Sequence, residues 1–164
     1  MTGVQTCALP IYLPYVKRVG LDLLNAPYET KTEALDAIRS GHAYAVAEGD
    51  HRVMLTLDEF SLACDCGQAS AGIGERVALP SGAHAVVTVR LSARDGESHP
   101  VTVRLIRSGE IIGMTKAETP VQYQLADAQP VPDGGAYYRL EVVGQSGELL
   151  TNPIYAAAQA GERG

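Results

Sequence analysis

After Gly41 the chain alternates apolar and polar residues at every second position, in short runs cut by Gly, Pro, Asp and Ser. A period of two sends successive side chains to opposite faces of a strand, so each run offers one face to a core and one to solvent. Val53, Leu55 and Leu57 alternate with Met54, Thr56 and Asp58; Val87, Val89 and Leu91 alternate with Thr88 and Arg90; Val101, Val103 and Leu105 alternate with Thr102 and Arg104. Val121, Tyr123 and Leu125 flank Gln122 and Gln124, and Tyr138, Leu140 and Val142 flank Arg139 and Glu141. Short strands separated by turn signals predict a mainly β fold, an Ig-like antiparallel β-sandwich over 42–157. Asp95-Gly96 and Ser108-Gly109 are hairpin candidates, and Pro130 to Gly135 reads as a longer polar loop. Aromatic residues are only 5% of the chain and Trp is missing, so Val, Leu and Ile must fill the core.

One segment breaks the pattern. Lys31 to Ser40 is rich in helix formers, with Ala34, Leu35 and Ile38 spaced to share a face. Thr30 or Thr32 suits the helix start, Glu33 suits its positive end, and Gly41 stands where the helix should stop. A helix this short depends on packing for its stability. No alternation of strand and helix follows it, which argues against a parallel barrel or doubly wound sheet after Gly41.

Charge excludes one class of partner. Thirteen Lys and Arg against nineteen Asp and Glu leave a formal charge of -6, which gives no electrostatic basis for binding nucleic acid. No apolar run reaches membrane-spanning length. The compartment stays open.

Several residue groups invite a chemical reading. Cys64 and Cys66 lie two apart in an apparently extended stretch, where a bridge between them would be strained; the expectation is two ordinary thiols. His42, His51, His84 and His99 form no His-x-His or His-x3-His pair, so surface or core-edge histidines are expected rather than metal ligands. Asp50-His51 with Ser61 or Ser70 has no nucleophile elbow around it. Gly72-Ile73-Gly74 leads into a strand rather than a helix, so it reads as a turn and not a phosphate loop. Arg90, Arg104, Arg107 and Arg139 are expected to point outward from strands and pair with Glu or Asp; gathered on one face they would instead suit a carboxylate or phosphate.

Four segments carry a resemblance. Glu33 to Tyr44 (EALDAIRSGHAY) resembles the "ALxAIRxGHxY" helix and strand of PHP-domain metal-dependent phosphoesterases related to CehA/McbA-type metallohydrolases, where it links a metal-binding barrel to a C-terminal β domain. Val103 to Glu110 (VRLIRSGE) resembles that family's "veliRnGe" hairpin, Tyr137 to Val142 its "YRlEV" strand, and Leu150 to Tyr155 its "lTNPIY" ending. The resemblance implies a parent whose barrel holds divalent zinc, manganese or iron through clustered His, Asp and Glu, and activates water against a phosphoester. The family's His-x-His and Asp-x-His ligand motifs do not occur from Tyr12 to Gly164, so no catalytic, cofactor-binding or metal residue is assigned to this chain. His42, the histidine of the family-like Gly-His pair, is expected to serve a structural hydrogen bond at the strand start, the other reading being a place on the rim of the parent's active site.

The first eleven residues, Met1 to Ile11, resemble a translated sequencing-library adapter and are set aside from fold reasoning. The expected organisation is then 12–41 as the tail of a lost catalytic barrel with its linker helix, 42–157 as the C-terminal β-sandwich, and 158–164 as a disordered tail. On this reading the chain is a non-catalytic accessory domain that packs on the barrel of its own parent. The alternative is a stand-alone Ig-like module that binds carbohydrate or protein through loops such as Pro130 to Gly135.

Overall fold

The computed structural model describes residues 19–23, 31–49, 53–67, 69–145 and 147–159. The described residues form a β-sandwich with one short helix between its first two strands. The elements are β1 (Val19–Leu23), α1 (Lys31–Arg39), β2 (Ala43–Glu48), β3 (Leu55–Cys64), β4 (Ser70–Ala71), β5 (Arg76–Leu79), β6 (Ala85–Ala93), β7 (Pro100–Arg107), β8 (Glu110–Glu118), β9 (Val121–Ala126), β10 (Ala136–Gly144), β11 (Gly147–Thr151) and β12 (Ile154–Ala158).

One sheet runs β4-β3-β6-β9. The other centres on β10, which pairs along one edge with β7, followed by β8, and along the opposite edge with β11 and then β12. Beyond these lie β2 and β1 on the β11 side, and β5 on the β12 side. The pairings are antiparallel except β12 with β5, which run parallel. The strand expectation therefore holds with one parallel exception. The start of the chain departs further: β1, expected as a detached barrel tail, pairs with β2 from Val19↔Ala47 to Leu23↔Ala43 and extends the larger sheet. At the other end β12 includes Ala158, and the Gln159 amide donates to the Leu79 carbonyl at 2.7 Å, so regular structure runs past 157.

The alternating runs find their core. Leu55 and Leu57 of β3, Val87, Val89 and Leu91 of β6, Val103 and Leu105 of β7, and Tyr138, Leu140 and Val142 of β10 join one buried cluster between the sheets. Tyr123 and Leu125 only flank it. β3 holds ten residues inward-outward because a bulge between Leu57 and Glu59 shifts the register by one, after which Phe60, Leu62 and Cys64 take over the inner face. If the same residues paired without the bulge, Phe60 and Leu62 would face water.

Two turns behave differently. Ser108 (φ 48) and Gly109 (φ 96) form the two-residue connection of β7 to β8, both with the positive φ that a type I′ hairpin needs. Asp95-Gly96, expected as a second hairpin, instead carries the chain from β6 in one sheet to β7 in the other. The alternation on either side of it is compatible with both outcomes, and the sheet pairing decides.

α1 ends in a Schellman motif. The Gly41 amide donates to the Ile38 carbonyl at 3.1 Å and the His42 amide to the Ala37 carbonyl at 2.9 Å, with Gly41 at φ 81. Thr32 lies inside the helix, while Thr30 is outside the described residues. The Gly41 carbonyl accepts from Asn152 Nδ2 at 3.1 Å, and the Gly74 amide donates to the Pro153 carbonyl at 3.0 Å. A Cβ on Gly74 would come within 2.6 Å of the Gly41 backbone, so the turn 72–75 fits against the helix end only as glycine. Two of the family-like segments, 33–44 and 150–155, thus meet at one backbone junction.

Candidate functional site

At one end of the sandwich, β7 and β10 run side by side, with Arg107 registered against Tyr138. Both side chains turn inward and converge on Asp127, in the connection after β9. Arg107 Nη1 lies 3.0 Å from Asp127 Oδ2, and the Tyr138 hydroxyl donates to the same oxygen at 2.7 Å. The Gln129 amide donates to Asp127 Oδ1 at 3.0 Å, and Arg107 Nη2 donates to the Pro130 carbonyl at 2.8 Å. Burial, and then the Asp127 carboxylate, push the Tyr138 hydroxyl well above its ordinary pKa. Each group here is satisfied by another, which makes the cluster a clamp on the loop from Asp127 to Pro130 rather than a reactive centre. This corrects the expectation for Arg107, whose side chain is only 11% exposed because the end of β7 tucks under that loop.

One residue along the same strands the chemistry opens to solvent. Tyr137 of β10 is registered against Tyr155 of β12, and Tyr155 against Arg76 of β5. The Ser108 amide donates to the Tyr137 carbonyl at 2.9 Å, so Ser108 of the β7-β8 turn continues the row that Tyr137, Tyr155 and Arg76 form across three strands on the outer face. Tyr137 and Tyr155 are 37% and 38% exposed, and the Arg76 guanidinium lies over the Tyr155 ring with Cζ 4.9 Å from its centroid. With Gly134 and Gly135 from the expected polar loop, the row lines a cavity of about 240 Å³. Sequence reasoning marked the loop but missed the row. Tyr137 and Tyr155 are eighteen positions apart, and only strand pairing places them side by side.

The cysteines also depart from expectation. Cys64 and Cys66 are joined as a disulfide. The assumption of an extended stretch fails because β3 ends at Cys64 and the chain turns, with the Gly67 amide donating to the Cys64 carbonyl at 3.0 Å. The turn brings the two Cα atoms to 5.0 Å, within bridging range.

The remaining candidates disperse. His84 Nδ1 is 2.8 Å from the Asp127 carbonyl, and His99 Nε2 is 2.9 Å from Asp95 Oδ2. They stand at opposite ends of β6, whose length separates them by roughly 30 Å. His42 follows the helix end, where its backbone amide donates to the Ala37 carbonyl at 2.9 Å as part of the helix cap. Asp50 and His51 lie outside the described residues; Ser61 donates to Glu59 at 2.7 Å, and Ser70 sits exposed on β4. Arg90 pairs with Glu59 at 2.9 Å and Arg104 with Glu141 at 3.6 Å, as expected of strand arginines. Arg139 makes no such ion pair among the described residues, and the buried Nε atoms of both Arg104 and Arg139 have no acceptor there. The four arginines do not gather, because Arg90 lies on the smaller sheet and Arg107 points inward.

Among the described residues, the group spaced to hold a metal ion is Cys64, Asp65 and Cys66, whose two thiols are already bonded to each other. This donor set does not fit the clustered His, Asp and Glu of a two-metal hydrolase. Among the described residues no helix is long and apolar enough to cross a membrane. Neither a family model nor a curated protein matches the chain.

Proposed function

We propose that this chain is the accessory β-sandwich of a PHP-type metal-dependent phosphoesterase, without hydrolytic machinery of its own, which packs against the metal-binding barrel of its parent. The observation that carries the reading is the state of α1. Leu35 and Ile38, the apolar face of the segment that resembles the family's linker, are 39% and 42% exposed. A nine-residue amphipathic helix holds its shape through packing, so an uncovered apolar face calls for a further surface. The family-like residues fit the same role, since Gly41, Asn152 and Pro153 fix how the helix leaves the sandwich. Zinc, manganese or iron would belong to the barrel, and no step of hydrolysis is assigned to residues of this chain.

The deciding experiment is to read the source DNA in long unbroken reads across the codons for Ile11 and Tyr12. A frame that continues upstream into a barrel with clustered His and Asp ligands supports the reading. A genuine start codon near Tyr12 overturns it. As a biochemical check, the purified chain with manganese or zinc is expected to leave an activated phosphodiester intact; turnover that survives repurification and follows metal titration would be equally damaging.

A further inference from the structure

We infer that the Tyr137, Tyr155 and Arg76 row is a binding subsite for a single-ring carboxylate, a compact ring bearing one carboxyl group. This stands apart from the parentage proposed above and does not rest on it.

In a chain of net charge -6, the carboxylates Glu59, Glu141 and Asp127 are taken by Arg90, Arg104 and Arg107. The nearest acidic neighbour in sequence, Glu75, accepts the Gly72 amide at 2.6 Å. Among the described residues no carboxylate pairs with Arg76, whose recorded contact is the Tyr155 ring. A guanidinium carries five N–H donors in a fixed fork that matches a carboxylate, and contact with a ring does not occupy them as an ion pair would.

The cavity is lined by backbone on one side and by aromatic side chains on the other. Its wall at Gly134 and Gly135 carries no side chain, and Gly135 sits at φ 80, where a Cβ would approach the Ala156 carbonyl to 2.9 Å. The loop is therefore fitted tightly onto β12. On the opposite side Tyr137 leans towards the hairpin turn, its hydroxyl 3.8 Å from where a Cβ on Gly109 would stand. The Ser108 hydroxyl and the tyrosine hydroxyls add polar groups around apolar ring surface. Such a mixture suits a ligand with a flat or weakly polar body and one charged end.

Size and charge narrow the ligand. A volume of about 240 Å³ is below the usual range for drug-sized pockets and takes one ring rather than an extended chain. Arg76 is the one cationic side chain in the cavity lining, and a single charge matches a monoanion better than a dianionic phosphate. A hexuronic acid and an aromatic acid share this chemistry, and the test separates them.

The experiment follows backbone amide shifts of the full chain during titration with glucuronate, benzoate, and the neutral analogues glucose and benzamide. Saturable shifts at Arg76, Gly134, Gly135 and Tyr155 are expected for at least one acid at millimolar concentration, and none for its neutral counterpart. The acid that binds identifies the ring type. Arg76→Gln is expected to weaken binding at least tenfold, and Tyr155→Leu to weaken it while keeping an apolar residue on the strand. If Tyr155→Leu disturbs the fold, Arg76→Gln alone decides, since its side chain is on the surface. The inference is overturned if acid and neutral analogue bind equally, if Arg76→Gln leaves affinity unchanged, or if neither acid produces saturable shifts.

Discussion

Tyr137 and Tyr138 are neighbours on one strand with opposite fates. Tyr138 is fully buried, and its hydroxyl is held by Asp127, which Arg107 also engages. Tyr137 is 37% exposed beside Tyr155, in a row where no carboxylate among the described residues pairs with Arg76. The pleat of β10 makes this separation, since it sends consecutive side chains to opposite faces. Each site pairs tyrosine with arginine, and the inner one adds the Asp127 carboxylate. The inner set is closed because every polar group has a partner, and the outer set is open because its arginine does not. Saturation of hydrogen bonds, more than composition, separates a structural cluster from a binding candidate.

The largest effect should come from breaking the inner set. Asp127→Ala leaves Arg107 and the Tyr138 hydroxyl buried without their acceptor, and is expected to cost about 3–5 kcal/mol of folding stability, measured by urea unfolding. A loss under about 1 kcal/mol would mean that the clamp is wetter or looser than its geometry implies.

Tyr138→Phe is milder, because Asp127 keeps Arg107 and the Gln129 amide; the expected cost is about 1–2 kcal/mol. It carries a pH signature as well. The folded state raises the Tyr138 pKa above its ordinary 10.0, so folding favours the protonated hydroxyl. That contribution is fully present below pH 10.0 and is lost as pH rises above it towards the raised value. The wild-type chain should therefore lose stability in alkali more steeply than Tyr138→Phe, and equal slopes would contradict the assignment.

The outer set should hardly register. Arg76→Gln and Tyr137→Phe, each tested alone, are expected to change stability by no more than about 0.5 kcal/mol, as befits exposed positions. A cost comparable to that of Tyr138→Phe would show that the row braces the sheet, and would remove the contrast.

Much of the fold could be read from the alternation. The strand runs at 87–91, 101–105 and 138–142 bury the residues expected of them, and the helix over Lys31–Arg39 stops at Gly41 because glycine alone enters the left-handed cap without strain. The β3 bulge was hidden, since Leu57 and Phe60 are out of phase and no single period of two links them. The disulfide was hidden for a related reason, because its formation depends on a turn after Cys64 that a strand-like reading passes over. The candidate site was the least legible. Its loop could be marked by Pro, Asp and Gly, but Arg76, Tyr137 and Tyr155 come from three strands whose adjacency no local pattern encodes.

The sequence by itself determined the class of structure, because periodicity, glycine placement and turn chemistry act over a few residues. It set which faces are apolar and where the helix ends. Only the tertiary structure decided which strands pair, and therefore that Arg107 finds Asp127 while Arg76 finds an aromatic ring. Pairing is a long-range choice made by the whole core at once, and it turns similar side chains into a closed clamp on one face and an open cleft on the other.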